Sequence, residues 1–441
     1  MWLSEYLVRL ARPQNVYGCY RITFGLALFF GLVPYWVDSS ERKLRLSWIG
    51  FVTIIVRICF YTLNFYNSYL ERHALMDAVS LTNLSRLTTE LEMFNGIFGI
   101  NIVLVMSLLH RKQLVHLMSL FESLETEAFP RVGVNFKQQQ AAYQINGLAL
   151  FLLSTLSIFV GYASLKVIGL THTIILYQAM ISYFSPNFII CAVCILVGGL
   201  FIKLRIYISA LNEVLKNLAH QWDTRSLKAV QKQRSLQCLD SFSMYTIVTK
   251  DPAEIIQESM EIHHLICEAA ATANKYFTYQ LLTIISIAFL IIVFDAYYVL
   301  ETLLGKSKRE SKFKTVEFVT FFSCQMILYL IAIISIVEGS NRAIKKSEKT
   351  GGIVHSLLNK TKSVEVREKL QQFSMQLMHL KINFTAAGLF NIDRTLYFTI
   401  SGALTTYLII LLQFTSNSPN NDNGNGYECC EALHNMTNHT L

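Results

Sequence analysis

Apolar residues along this chain fall in unbroken blocks of roughly 20, without the three-to-four spacing of an amphipathic helix or the alternation of a half-buried strand. A block of that length suits an α-helix crossing about 30 Å of hydrocarbon. Seven such blocks occur, over 46–66, 92–110, 141–163, 180–203, 278–300, 317–337 and 391–414. A further apolar stretch, 22–37, is shorter and carries Pro34, so it is expected to be re-entrant or interfacial. The pattern predicts an all-α integral membrane protein, a seven-transmembrane helix bundle.

The polar intervals add a second layer. Segments 205–222, 253–277 and 354–383 continue neighbouring spans with helix-compatible composition and predict a helical domain on one membrane face. That domain comprises 205–277, with a mobile linker over 223–252, and 338–390, which leads to the last span. The tail, 415–441, reads as disordered. The absence of an internal repeat weighs against an inverted-repeat transporter.

Composition excludes a soluble reading: 15% of residues are charged, 53% are hydrophobic and the mean hydropathy is +0.39. Only six prolines punctuate 441 residues, which favours long helices over a transmembrane barrel. No cleavable signal peptide is expected at the N-terminus. Lys and Arg gather on the N-terminal side of the first span, including Arg42, Lys43 and Arg45, and in the 205–277 interval. That bias predicts an inverted topology, N-terminus cytoplasmic and C-terminus outside. The basic loop holding Lys306, Lys308, Arg309, Lys312 and Lys314 is an exception to it. Sequons at Asn83, Asn435 and Asn438 fall outside in this topology, and that at Asn359 falls inside.

No phosphate-binding, zinc-protease or hydrolase motif is present, so no enzyme, metal site or cofactor is expected. Cys191 and Cys194 sit within a span and read as small apolar residues, and the adjacent His263 and His264 diverge around a helix. Cys429 and Cys430 lie in the tail, where oxidation is chemically open. Arg57, inside the first span, needs a carboxylate or carbonyl partner, or must snorkel. The tail acids Asp422, Glu428 and Glu431 either concentrate cations at a pore mouth or are merely solvated.

The last span carries a polar stripe. Gln413, Ile409, Thr406, Gly402, Thr399 and Thr395 recur at three- or four-residue steps and share one face. Such a stripe serves either close helix packing or a water-facing pore wall.

The end of that span resembles a known family. Thr406-Tyr407, the apolar run Leu408 to Leu412, and Gln413-Phe414 are similar to the C-terminal signature of insect gustatory receptors, and Ala387 to Asp393 looks like the same family's lead-in. The resemblance implies a plasma-membrane homotetramer around a central pore, or a mixed assembly with other subunits. It would conduct Na, K and Ca non-selectively, its last helix lining the pore and Phe414 and Gln413 forming the gate. The ligand implied is a small organic tastant, with membrane lipid as surroundings and no nucleic acid polymer as partner. The resemblance also implies a pocket in the outer half of each bundle. Tyr183, Asp295, Tyr297, Tyr298, Phe322 and Gln325 are its candidates, each equally explicable as a belt aromatic or packed residue. Leu408 stands where sugar receptors of the family often carry Glu, so bitter or aversive compounds lead. Temperature, nucleosides or sugars remain alternative stimuli, and a G-protein-coupled receptor is the rival class.

Overall fold

In a computed structural model, residues 13–38, 43–70, 83–168, 174–226, 250–303 and 315–417 are described. The chain enters through α1 (Val16–Cys19) and α2 (Arg21–Phe29), then turns at Gly31, whose φ of 74° favours glycine, into strand β1 (Tyr35–Asp38). β1 pairs antiparallel with β2 (Lys43–Leu46), Tyr35 opposite Leu46. The apolar stretch at 22–37 is thus a nine-residue helix followed by a strand, too short a helix to cross a bilayer.

Then follow α3 (Trp48–Leu70), α4 (Asn83–Leu109), α5 (Arg111–Ser123), a π-helical turn (Leu124–Ala128), α6 (Phe129–Arg131) and α7 (Gln138–Ile168). The second half comprises α8 (Ile174–Ser226), α9 (Pro252–Leu303), α10 (Thr315–Lys360), α11 (Val364–His379), the hairpin β3 (Thr385–Ala386) and β4 (Phe390–Asn391), and α12 (Thr395–Asn417). Among the described residues seven helices are long and apolar enough to cross a membrane: α3, α4, α7, α8, α9, α10 and α12. Two hairpins are the only departures from an all-α chain among these residues.

Three helices exceed what a bilayer can hold. α8, α9 and α10 run for 53, 52 and 46 residues, so each reaches roughly 70–80 Å against about 30 Å of hydrocarbon. They pack on one another, and α11 closes against the overhangs of α9 and α10. The linker expected over 223–252 is too long at both ends, because α8 continues through Ser226 and α9 starts at Pro252, while 227–249 lies outside the described residues. The tail beyond Asn417, with Cys429, Cys430 and the acids Asp422, Glu428 and Glu431, and the basic loop over 304–314 also lie outside them.

Buried charge marks the junction between span and overhang. Lys203 on α8 is fully buried and its Nζ lies 2.6 Å from Oε1 of Glu125, which the π-helical turn presents. The same ammonium donates to Oε1 of Gln138 at 2.9 Å. Gln138 Nε2 donates in turn to Oε2 of Glu125 at 2.6 Å, and the Tyr207 hydroxyl donates to Oε1 at 2.9 Å. The Cys19 thiol reaches Oε1 of Gln138 at 3.1 Å, joining the N-terminal segment to the same network. Every polar atom so placed removes a desolvation penalty from another. In the first span, Arg57 donates to the Tyr61 hydroxyl at 3.4 Å and lies 5.4 Å from the centre of the Phe29 ring. Its partners are thus aromatic, in place of the carboxylate, carbonyl or snorkelling expected of it.

Removing one member of the buried pair leaves an uncompensated charge. Lys203→Met or Glu125→Leu alone should lose about 3–5 kcal/mol of stability, and the double variant should recover most of it. Thermal unfolding in detergent, followed by tryptophan fluorescence, checks both statements.

Candidate functional site

The final helix is built outward from a fixed base. Asp393 accepts the backbone N–H of Thr395 at 2.8 Å and so caps the start of α12. Ser340 on α10 donates to the Ile392 carbonyl at 2.6 Å in a buried contact, and Ile392 N–H pairs with the Phe384 carbonyl at 2.8 Å. Arg394 completes the base by gripping Glu338 on α10 through two bonds, Nε to Oε1 at 2.8 Å and Nη2 to Oε2 at 3.1 Å. Arg342 adds a second cation at 3.5 Å. The hydrogen bonds from Arg394, assisted by the charges of both arginines, hold the Glu338 carboxyl below the ordinary glutamate range.

Above this base α12 has two faces. Leu404, Leu408, Leu411 and Leu412 pack on a cluster formed by Val293, Phe294, Tyr297 and Tyr298 of α9 and Phe322 of α10. Thr395, Thr399, Gly402, Thr406, Ile409 and Gln413 are all exposed, so the stripe lies on the face turned away from this chain's own bundle. Nothing lies within 4 Å of a Cβ built on Gly402, so contacts inside this chain do not require a glycine there. Thr399 donates to the Thr395 carbonyl at 3.4 Å and Thr406 to the Gly402 carbonyl at 3.0 Å. Phe414 belongs to α12, but its side chain is outside the described residues.

The pocket candidates separate into two groups. Tyr297, Tyr298 and Phe322 are buried together, with ring centres 5.9 Å apart for the tyrosines and 4.8 Å for Tyr298 and Phe322. They abut the leucine face of α12. Asp295 and Gln325 are buried on α9 and α10. The sequence position of Asp295 suggests a cheap charge at the membrane boundary, yet it is 0% exposed, because α4 and α10 cover that face of α9. Among the described residues, both of its carboxylate oxygens lack a hydrogen-bond partner, as do Oε1 of the buried Glu92 on α4 and both amide atoms of the buried Asn187 on α8. Asp295, Glu92 and Tyr329 lie within mutual electrostatic reach. Tyr183 lies on α8 with its side chain outside the described residues. Asn187 and Tyr329 also border a void of about 30 Å³ with Cys191 and Cys194, room for little more than a water.

Glu92, Asn187, Tyr329, Glu338, Ser340 and Arg394 were missed by sequence reasoning. The first two carried a readable signal, a carboxylate and an amide inside apolar blocks. The base residues carried none, because Glu338 is an ordinary charge just outside a span and Arg394 sits within the first turn of the last one.

Residues 20–418 match the family described as 7tm Chemosensory receptor. The chain belongs to that family. Within it the relatives are insect gustatory receptors. The chain is 57% identical to the protein named gustatory receptor 28b of Drosophila melanogaster, over 98% of this chain and 93% of that one. It is 32% identical to gustatory receptor 28a of the same species, over 94% and 97% of the two chains. A gustatory receptor for bitter taste, 66a, matches at 26% identity over 36% of this chain and 30% of its own length. Among solved structures the fold is similar to the insect olfactory receptor OR5 from Machilis hrabei in complex with eugenol, with a TM-score of 0.60, 12% identity, and 90% and 97% of the two chains covered. This gustatory receptor is thus a seven-helix chemosensory receptor with a fold similar to that of an olfactory one.

The base of α12 makes a local test of this receptor. Glu338→Gln removes the ionic half of the clamp while keeping its shape, and should shift the dose-response midpoint for any effective agonist by about three- to ten-fold. The charge exchange Glu338→Arg with Arg394→Glu should restore part of that shift. Concentration-response recordings at matched surface expression decide it.

Proposed function

We propose that this gustatory receptor is a ligand-gated, non-selective cation channel of the plasma membrane, a homotetramer in which four copies of α12 surround the pore. The observation that carries the reading is the division of α12 into two faces. Its leucines seat on the bundle, and its stripe of Thr, Gly and Gln is exposed on the opposite face. A helix whose polar face is turned outward from its own bundle suits a symmetric axis, where the same face of each copy lines one channel. The basic N-terminal side is cytoplasmic and the C-terminus is outside, as the Lys and Arg bias favours. Thr395, Thr399, Gly402, Thr406 and Ile409 line the pore, and Gln413 and Phe414 form its outer gate.

The ligand is a small organic tastant, bitter compounds being the leading class. Support comes from the bitter-taste relative and from the olfactory neighbour, which was solved with the small aromatic compound eugenol. Its site is the outer half of the bundle, where Tyr297, Tyr298 and Phe322 would supply apolar walls and Asp295, Gln325, Glu92 and Asn187 the polar anchors. Buried carboxylates without partners favour a ligand that brings donors of its own, such as an amine or a polyol. Occupancy that displaces Phe322 or Tyr298 presses on the leucine face of α12, and Glu338 relays any tilt of α10 to the base.

Excised-patch recording without nucleotide tests the class: agonist-evoked currents support a channel, and responses that need G protein and vanish on excision overturn it. Gln413→Ala and Phe414→Ala should alter relative Na/Ca permeability or raise basal current, and wild-type currents from both remove the gate assignment. Asp295→Asn should raise the agonist concentration for half-response about ten-fold or more with unitary conductance unchanged.

A further inference from the structure

A groove of about 640 Å³ opens on the flank of the bundle between α3, α4 and α9, and none of the α12 stripe residues lines it. Phe65, Phe94, Phe98 and Phe294 wall it, with Phe65 meeting Phe94 edge-on at 5.1 Å between ring centres. Phe94 and Phe98 are 43% and 68% exposed on helices that cross the membrane, so the groove faces lipid. Asn95 and Asn101 of α4 interrupt this apolar lining. Neither side chain makes a hydrogen bond among the described residues, and Nδ2 of Asn95 and Oδ1 of Asn101 are buried without a partner. An amide left unmet against hydrocarbon is costly, which makes a ligand that meets it favourable. The helical rise sets the two residues about 9 Å apart along α4.

We propose that this groove is a second binding site, one that takes a flat, rigid amphiphile of steroid size from the bilayer, with a hydroxyl at each end. Aromatic walls favour a fused ring system. The groove volume falls within the range of small-molecule sites. The separation of the amides calls for two polar ends, since a sterol with one hydroxyl leaves one amide unmet. A phospholipid headgroup fits less well, because no Lys or Arg lines the groove. A hydroxyl both donates and accepts, so it meets an amide in either orientation. The groove shares Phe294 with the cluster beneath α12, but none of the tastant candidates lines it, and each site stands if the other fails.

The test uses the full-length receptor in phosphatidylcholine nanodiscs with a tritiated androstanediol, hydroxylated at both ends of its ring system. Saturable binding is expected, displaced by unlabelled diol, about five-fold less well by either single-hydroxyl analogue, and least by the bare hydrocarbon. Asn95→Leu and Asn101→Leu should each abolish the advantage of one hydroxyl and leave that of the other. Absence of saturable binding, or equal displacement by diol, mono-ol and hydrocarbon on the wild-type receptor, overturns the site. The wild-type analogue series needs no variant, so poor folding of either substitution does not spoil the test.

Discussion

Hydrocarbon offers no partner to a peptide group, and every spanning segment must therefore satisfy its own backbone. That constraint explains why, among the described residues, the strands are confined to two short hairpins and the spans are all helix. The bilayer also fixes how much helix it can hold. α8, α9 and α10 exceed it by about half their length, and because α9 runs opposite to α8 and α10 in chain order, all three overhangs project on one side. There they find α11, and the core continues beyond the membrane without a break. Where α8 leaves hydrocarbon, the Lys203 and Glu125 network lets a charge sit at 0% exposure.

Continuity of this kind has a mechanical consequence. α10 carries Phe322 beside the aromatic cluster at one end and Glu338 and Ser340 beneath α12 further along, with unbroken helix between them. α12 is held at its base by Arg394 and Ile392 and along its length by four leucines, while most of its remaining surface is exposed. A half-exposed ion pair is worth little to stability, so the clamp is better suited to setting an angle than to holding the fold. A rigid lever ending on a weak, directional contact is an element that small ligand energies can bias.

Most of this architecture was legible in the pattern of apolar blocks, because a 20-residue run has few other physical uses. The α12 stripe was legible too, since three- and four-residue steps fix which side chains share a face. The hairpins were not, for strands of four and two residues carry no alternation to read. Nor was the break within 354–383, where α10 runs to Lys360 and α11 starts at Val364 across a short polar turn. Lys203 looked like the end of a span because its partner lies far off in sequence, presented by a π-helical turn that no composition announces. Asp295 looked cheap for a related reason: depth in a bundle depends on which helices pack outside a residue, and linear position carries none of that.

The stripe itself says something about what would pass along it. A threonine hydroxyl has one proton and two lone pairs. On α12, Thr399 and Thr406 spend the proton on their own helix, donating to the carbonyls of Thr395 and Gly402. Thr405 and Ser401, on the neighbouring strip of surface, do the same toward Ser401 and Tyr397 at 3.0 and 2.7 Å. What these residues turn outward is therefore acceptor oxygen, repeated at roughly one- and two-turn intervals, with Gly402 between them leaving room. A wall of acceptors replaces part of the hydration shell of a cation and offers nothing to an anion. If α12 lines a pore as proposed, the sign of the conducted ion would follow from where four hydroxyl protons point, before any charged ring at the pore mouth is considered.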